Sequence, residues 1–167
     1  IPVSTRKGTL SHSELLDDYL EHVLSFIEPS VIRDFRLVLD AGSGMAGLAA
    51  PPLFDRLPCR TTRLCFDIDG TFPNHQANPL LEENRRDIVE RVVADGADAG
   101  VAWDGDADRC FFIDGQGEFV AGDFITALLA EAFLRKEPAS KIIYDVRASY
   151  AVKDIVEAGL GAALVAQ

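Results

Sequence analysis

The stretch Asp104-Gly105-Asp106-Ala107-Asp108-Arg109 constrains this chain most, because it is caught between two apolar runs, Ala99–Trp103 and 110–113. Both runs read as short buried strands. The connection between them is too tight for a crossover, so the second strand is expected to return antiparallel to the first. A strand ending at Trp103 delivers three carboxylates to the edge of a sheet, and the small residues Gly105 and Ala107 let the backbone curl until they face one point. Three anions that close are unfavourable unless a cation neutralises them; otherwise at least one carboxyl pKa must rise. Oxygen ligands without His or Cys select Mg²⁺, Mn²⁺ or Ca²⁺ over zinc. An EF-hand loop is excluded: it needs Gly sixth and Glu twelfth, and counting from Asp104 those places hold Arg109 and Gly115. The plainer alternative is a solvated acidic turn.

The net charge of −11 argues against a nucleic-acid partner, which requires a basic surface. Hydrophobic content of 48% is that of a globular protein, and no apolar run approaches a membrane span or a signal peptide. Cys59, Cys65 and Cys110 are odd in number and lie in or beside apolar runs. Buried free thiols in a reducing cytoplasm account for them most simply. The chain opens on Ile1 rather than Met, as a piece of a longer chain would.

Residues 1–10 read as a polar linker. Ser11 with Glu14 has capping-box spacing and predicts a helix from there to Pro29. Strands are expected at Arg36–Asp40, 62–68, Ala99–Trp103 and 110–113, with helices from after Gly47 to about Leu57 and over 81–93. Asp114-Gly115-Gln116-Gly117 turns a hairpin into Phe119 and Val120. After Gly122 the pattern restarts: a helix capped by Asp123, a strand over 141–146, a helix Tyr150–Ala158 and a strand Ala162–Ala166. Alternating strands and helices predict a three-layer α/β/α fold around a mixed, mostly parallel four-stranded sheet. Residues 1–120 form one expected domain, and 121–167 begin a second.

Two further motifs need accounting for. Gly42-Ser43-Gly44-Met45-Ala46-Gly47 follows a strand, with Asp67 at about the spacing of a dinucleotide fingerprint. Pro51 and Pro52, however, remove amide donors from the helix that should anchor a pyrophosphate, so a tight strand-to-helix turn is the simpler reading. Phe66-Asp67-Ile68-Asp69-Gly70-Thr71 has the form of a haloacid-dehalogenase-type phosphatase motif, in which Asp67 attacks phosphorus and Asp69 acts as acid and base beside Mg²⁺. The lysine and the acidic pair which that chemistry also needs are poorly supplied here.

Asp104-Gly105-Asp106-Ala107-Asp108-Arg109 resembles the metal-binding loop of the α-D-phosphohexomutases, in their phosphomannomutase/phosphoglucomutase branch. Asp69-Gly70-Thr71-Phe72-Pro73-Asn74-His75 is similar to that family's D-G-x-F-P-N-H segment, the stretch from Asp40 to Gly47 to the opening of its second domain, and Asp145-Val146-Arg147 to a D-V-K segment early in its third. The resemblance implies that residues 1–120 are the second domain and 121–167 the start of the third. It implies an enzyme that moves phosphate between O1 and O6 of a hexose through a phosphoserine and a bisphosphorylated sugar, with a hexose phosphate substrate and the remaining domains of the chain as partners. Asp104, Asp106 and Asp108 would hold Mg²⁺, and Arg109 would face the sugar phosphate, unless it serves only as a salt bridge to the acidic loop. Arg147 stands where the family has lysine; it keeps the charge but not the geometry. His75 reads as a loop-fastening hydrogen-bond residue. Ala77 stands where the family often has proline.

The family's serine loop, its sugar-binding G-E-x-S-G-H loop and its R-x-S-G-T-E-P phosphate loop have no counterpart in these residues. The resemblance therefore implies a fragment with no catalytic residue of its own and no turnover by itself.

Overall fold

A computed structural model describes residues 8–159 and the backbone of 162–166. The linker reading for residues 1–7 lies outside the described residues. Strands β1 (Arg36–Asp40), β2 (Arg60–Leu64), β3 (Ala99–Trp103), β4 (Cys110–Asp114) and β5 (Phe119–Val120) form one sheet in the order β2-β1-β3-β4-β5. β1 is parallel to β2 and β3, while β4 runs antiparallel to both β3 and β5. The sheet is thus five-stranded rather than four-stranded, and evenly divided rather than mostly parallel. The difference is the hairpin through Asp114–Gly117, whose short return strand pairs Phe119 with Ile113 and adds a second antiparallel edge.

Helix α3 (Arg86–Asp95) packs on one face of this sheet, α2 (Ala46–Phe54) meets the other, and α1 (Leu16–Leu24) packs against α2. Strand alternation explains the division. Val38, Gly100 and Ile113 stand in register on the α3 face, where they pack with Ile88, Val92, Ala97 and Ala102. Gly100 lets α3 lie close, since a Cβ there would meet Val92 Cγ2 at 2.9 Å. On the opposite face Trp103 meets Phe54 of α2 edge-on, with ring centroids 6.3 Å apart.

Three expected boundaries are corrected. The Ser11–Glu14 capping box does not form; α1 starts at Leu16 without a side-chain cap. A cap supplies only about 1 kcal/mol, and residues 8–14 are exposed, whereas Leu20 within the helix is fully buried. β2 ends at Leu64 rather than 68, because Cys65 takes a left-handed φ of 54° and its carbonyl accepts the Ser43 N–H at 2.7 Å. Asp123 does not cap its helix: Ala121 holds the N-cap position, and the Asp123 carboxylate accepts the Ser149 N–H instead.

The second unit contains α4 (Gly122–Lys136), β6 (Lys141–Asp145), α5 (Tyr150–Ala158) and β7 (Ala162–Ala166), with β6 and β7 parallel. Its own core is Ala127, Ala130, Leu134, Val152 and Val156. No helix among the described residues is long and apolar enough to cross a membrane.

Candidate metal centre

Strand order decides where a site can form. The chain leaves β1 for β2 on one side and returns to β3 on the other, so the loops following β1 and β3 diverge at a topological switch point. Crevices beyond the carboxyl ends of strands at such points are where α/β sheets bind ligands. The glycine loop after Asp40 and the acidic loop after Trp103 both emerge there.

In the acidic loop, one carboxylate oxygen from each of Asp104, Asp106 and Asp108 lies within 4.8 Å of the others. The Asp104 N–H opposes the Arg109 carbonyl at 3.4 Å, and Ala107 takes a left-handed φ of 60°, which turns the loop back on itself. Ala107, not Gly105, carries the unusual backbone. Asp104 is 1% exposed, whereas Asp106 and Asp108 reach solvent. Asp104 Oδ1 accepts the Arg109 backbone N–H at 3.1 Å, and Oδ2 accepts Arg109 Nε–H at 2.6 Å as well as the terminal guanidinium nitrogen. Arg109 Nε also reaches Asp108 Oδ1 at 3.2 Å. Hydrogen bonding to Asp104, followed by its charge, raises the Arg109 pKa further above its ordinary value. Three hard oxygen donors converging around one buried carboxylate suit a hard divalent cation, since each ionised carboxylate keeps lone pairs beyond those Arg109 uses.

The glycine loop supports this arrangement at close range. A Cβ on Gly44 would lie 2.6 Å from the Gly105 carbonyl oxygen, and the Met45 N–H donates to that same oxygen at 2.9 Å. The turn that would cradle a pyrophosphate in a dinucleotide site is therefore filled by the acidic loop. The phosphatase reading loses its support too. Asp69 Oδ1 accepts the Thr71 N–H and hydroxyl, which lowers the Asp69 pKa, and neither Asp67 nor Asp69 joins the acidic cluster.

His75 fastens its loop to the sheet. Its Nε2 is 3.0 Å from Asp40 Oδ2, while Asp40 Oδ1 accepts the Gly42 N–H at 2.8 Å. The bond to Asp40 raises the His75 pKa to about 9 against the opposing effect of burial. Ala77 and Phe72 pack on Gly105, so the loop also buttresses the acidic turn. Asp40 is the residue sequence reasoning passed over; its place as the last residue of a buried strand was the available signal.

Arg147 is not drawn to this centre. It pairs with Asp145 through Nε and a terminal nitrogen, both at 2.9 Å, in the second unit, and its side chain is 87% exposed. That pairing holds the Asp145 carboxyl well below the usual carboxylate range. The thiols are only partly as expected: Cys59 and Cys65 are half-buried, but Cys110 is exposed.

Residues 17–117 match the family model for phosphoglucomutase/phosphomannomutase, alpha/beta/alpha domain II. The chain is 45% identical over 139 residues to the phosphohexose mutases protein of Xanthomonas campestris pv. campestris (strain B100), covering 83% of this chain and 31% of that one. It is 42% identical over 155 residues to a phosphomannomutase of Vibrio cholerae, covering 90% of this chain and 34% of the relative. Among solved structures, a phosphoglucomutase/phosphomannomutase family protein from Burkholderia thailandensis superposes with a TM-score of 0.86 at 36% identity, over 91% of this chain and 33% of that one. The chain thus spans about a third of the length of the relatives it matches. With the fold, the switch-point loops and these likenesses in agreement, this chain belongs to the phosphoglucomutase/phosphomannomutase family.

Proposed function

We propose that this chain is the metal-carrying portion of a phosphohexomutase that interconverts hexose 1-phosphate and hexose 6-phosphate, working in the cytoplasm as part of a longer polypeptide. The observation that carries the reading is the convergence of the Asp104, Asp106 and Asp108 carboxylates beyond the end of β3, with Asp104 buried. These residues would hold Mg²⁺, which when bound supplies Lewis-acid stabilisation of charge on phosphoryl oxygens during transfer.

The chain's own residues have distinct tasks in this reading. Asp104 anchors the loop through Arg109 and offers its remaining lone pairs to the cation. Asp106 and Asp108, both solvent-exposed, complete the oxygen set. Arg109 presents donors toward the substrate phosphate; its side chain is more than half exposed and its guanidinium remains tethered at Asp104. Arg147 is assigned a further contact to the hexose phosphate from the second unit, which requires its Asp145 pairing to be exchanged or shared. Residues 1–120 are read as the second domain of the mutase and 121–167 as the opening of the third. The exposed apolar residues Phe124, Leu128, Leu129 and Phe133 of α4 suit an element that further structure covers. No residue here is assigned as phosphoryl carrier, so the chain alone should not turn over hexose phosphate.

Isothermal titration of the chain with Mg²⁺ and Mn²⁺ tests the assignment. Asp106→Asn with Asp108→Asn should weaken binding by more than the roughly 10–100-fold that loss of an outer-shell partner costs. Unchanged binding in that double variant would remove the acidic loop from the metal site.

A further inference from the structure

Asp40, Cys65 and His75 bring an oxygen, a sulfur and a nitrogen donor to one place at the opposite end of the glycine loop from the acidic turn. The topology makes the meeting. Asp40 closes β1 and stands in register with Leu64 at the end of the neighbouring β2, so Cys65 arrives beside it. The following loop then folds back and lays His75 over both. His75 Nε2 is 3.0 Å from Asp40 Oδ2 and 3.8 Å from Cys65 Sγ, and one donor atom from each of the three lies within 4.8 Å of the others. In a tetrahedral zinc site, bond lengths of about 2.0–2.3 Å put neighbouring N/O and N/S donors roughly 3.4 and 3.6 Å apart. The two distances to His75 differ from that geometry by a few tenths of an ångström, and the Asp40 and Cys65 donors stand within 4.8 Å of each other.

The supporting hydrogen bonds are already those of ligands. His75 Nδ1 is 2.9 Å from the Gln76 carbonyl, which selects the tautomer with a proton on Nδ1 and a free lone pair on Nε2 once an ion is present. Asp40 Oδ1 is occupied by the Gly42 N–H, leaving Oδ2 as the donor facing His75. A backbone carbonyl behind the imidazole and an amide on the carboxylate are the outer contacts that orient metal ligands. A loop fastener needs the Asp40–His75 pair alone, and the thiol adds nothing to it.

We propose that Asp40, Cys65 and His75 form a second cation site, separate from the acidic loop, which takes a borderline-soft divalent ion of the zinc class. The mixed O/S/N donor set disfavours Mg²⁺ and Ca²⁺, so the two sites sort cations by hardness. Three protein ligands leave a fourth position for water from the adjoining cleft, of about 590 Å³, lined in part by Ser43, Cys65, Asp67 and Asn74. Binding forms metal–sulfur, metal–nitrogen and metal–oxygen bonds and releases two protons to solvent, one from the Cys65 thiol and one from His75 Nε2. Without an ion the thiol stays protonated, because burial and then the Asp40 charge push its pKa up to about 11. The bound ion ties the ends of β1 and β2 to the loop that buttresses Gly105.

Titrating the 167-residue chain with Co²⁺ tests this directly. One equivalent should produce a near-ultraviolet thiolate-to-cobalt charge-transfer band with visible d–d bands, and Zn²⁺ should bleach them. Cys65→Ser should abolish the charge-transfer band, whereas Asp106→Asn with Asp108→Asn should leave it intact. The absence of a charge-transfer band in the wild-type chain, or its persistence in Cys65→Ser, overturns the proposal. Should Cys65→Ser not fold by circular dichroism, thiol labelling of the wild-type chain decides. Zn²⁺ should then protect Cys65 and leave Cys59 and Cys110 reactive, and equal labelling with and without Zn²⁺ overturns the site.

Discussion

His75 holds a proton that its unfolded counterpart would lose, since the Asp40 bond lifts its pKa from about 6.5 to about 9. A raised folded pKa stabilises the protein fully below the unfolded value, and that contribution fades as pH climbs through the folded one. Wild-type chain should therefore exceed His75→Gln in melting temperature most at or below pH 6.5, by the equivalent of about 2 kcal/mol for a charged hydrogen bond. The gap should close by about pH 9, and thermal scans of both proteins across that range check it. Arg109 makes a prediction of the opposite kind. Its guanidinium neutralises the buried Asp104, so Arg109→Ala should lower the melting temperature in chelator. Saturating Mg²⁺ should recover most of the loss by supplying the missing positive charge. Calorimetry with and without Mg²⁺ reads both outcomes, and a loss indifferent to Mg²⁺ would argue against a cation at Asp104.

Among the elements, the glycine loop and α3 are the parts whose packing leaves least room. Gly44→Ala places a Cβ against the Gly105 carbonyl, a backbone atom that yields only if the acidic loop moves. That substitution should weaken Mg²⁺ binding while leaving far-ultraviolet circular dichroism unchanged, a split that titration and spectra resolve together. Ile88 is fully buried between α3 and the sheet, so Ile88→Ala should cost about 2–5 kcal/mol in urea denaturation with little effect on metal affinity per folded molecule. The same elements mark how far sequence patterns reach. Ala99–Trp103 and Tyr150–Ala158 end where their apolar periods end, because burial and period coincide there. The second strand does not, because Ser43 captures the Cys65 carbonyl and turns the chain although Phe66 and Ile68 continue the apolar pattern. The first helix likewise begins at Leu16, where side chains reach a core, and not at the residue best suited to cap it.

At the scale of the whole molecule, activity should depend on residues beyond this chain. A coupled assay with a hexose 1-phosphate should detect no conversion by the 167-residue chain, whereas the complete reading frame should convert it and lose that activity with Asp104→Asn. Turnover by the isolated chain would refute the assignment. What the residues by themselves determined is the chemistry on offer: three aspartates at alternate positions, the motif order, the family, and the alternation of strands with helices. These are local properties, set by spacing and side-chain type. Tertiary structure alone decided that Asp104 is buried and braced by Arg109, that Gly44 abuts Gly105, and that Asp40, Cys65 and His75 meet although 35 residues separate the first from the last. Strand order brings those positions together, and strand order follows from which faces can be covered across the folded sheet, a global balance that no window of sequence contains.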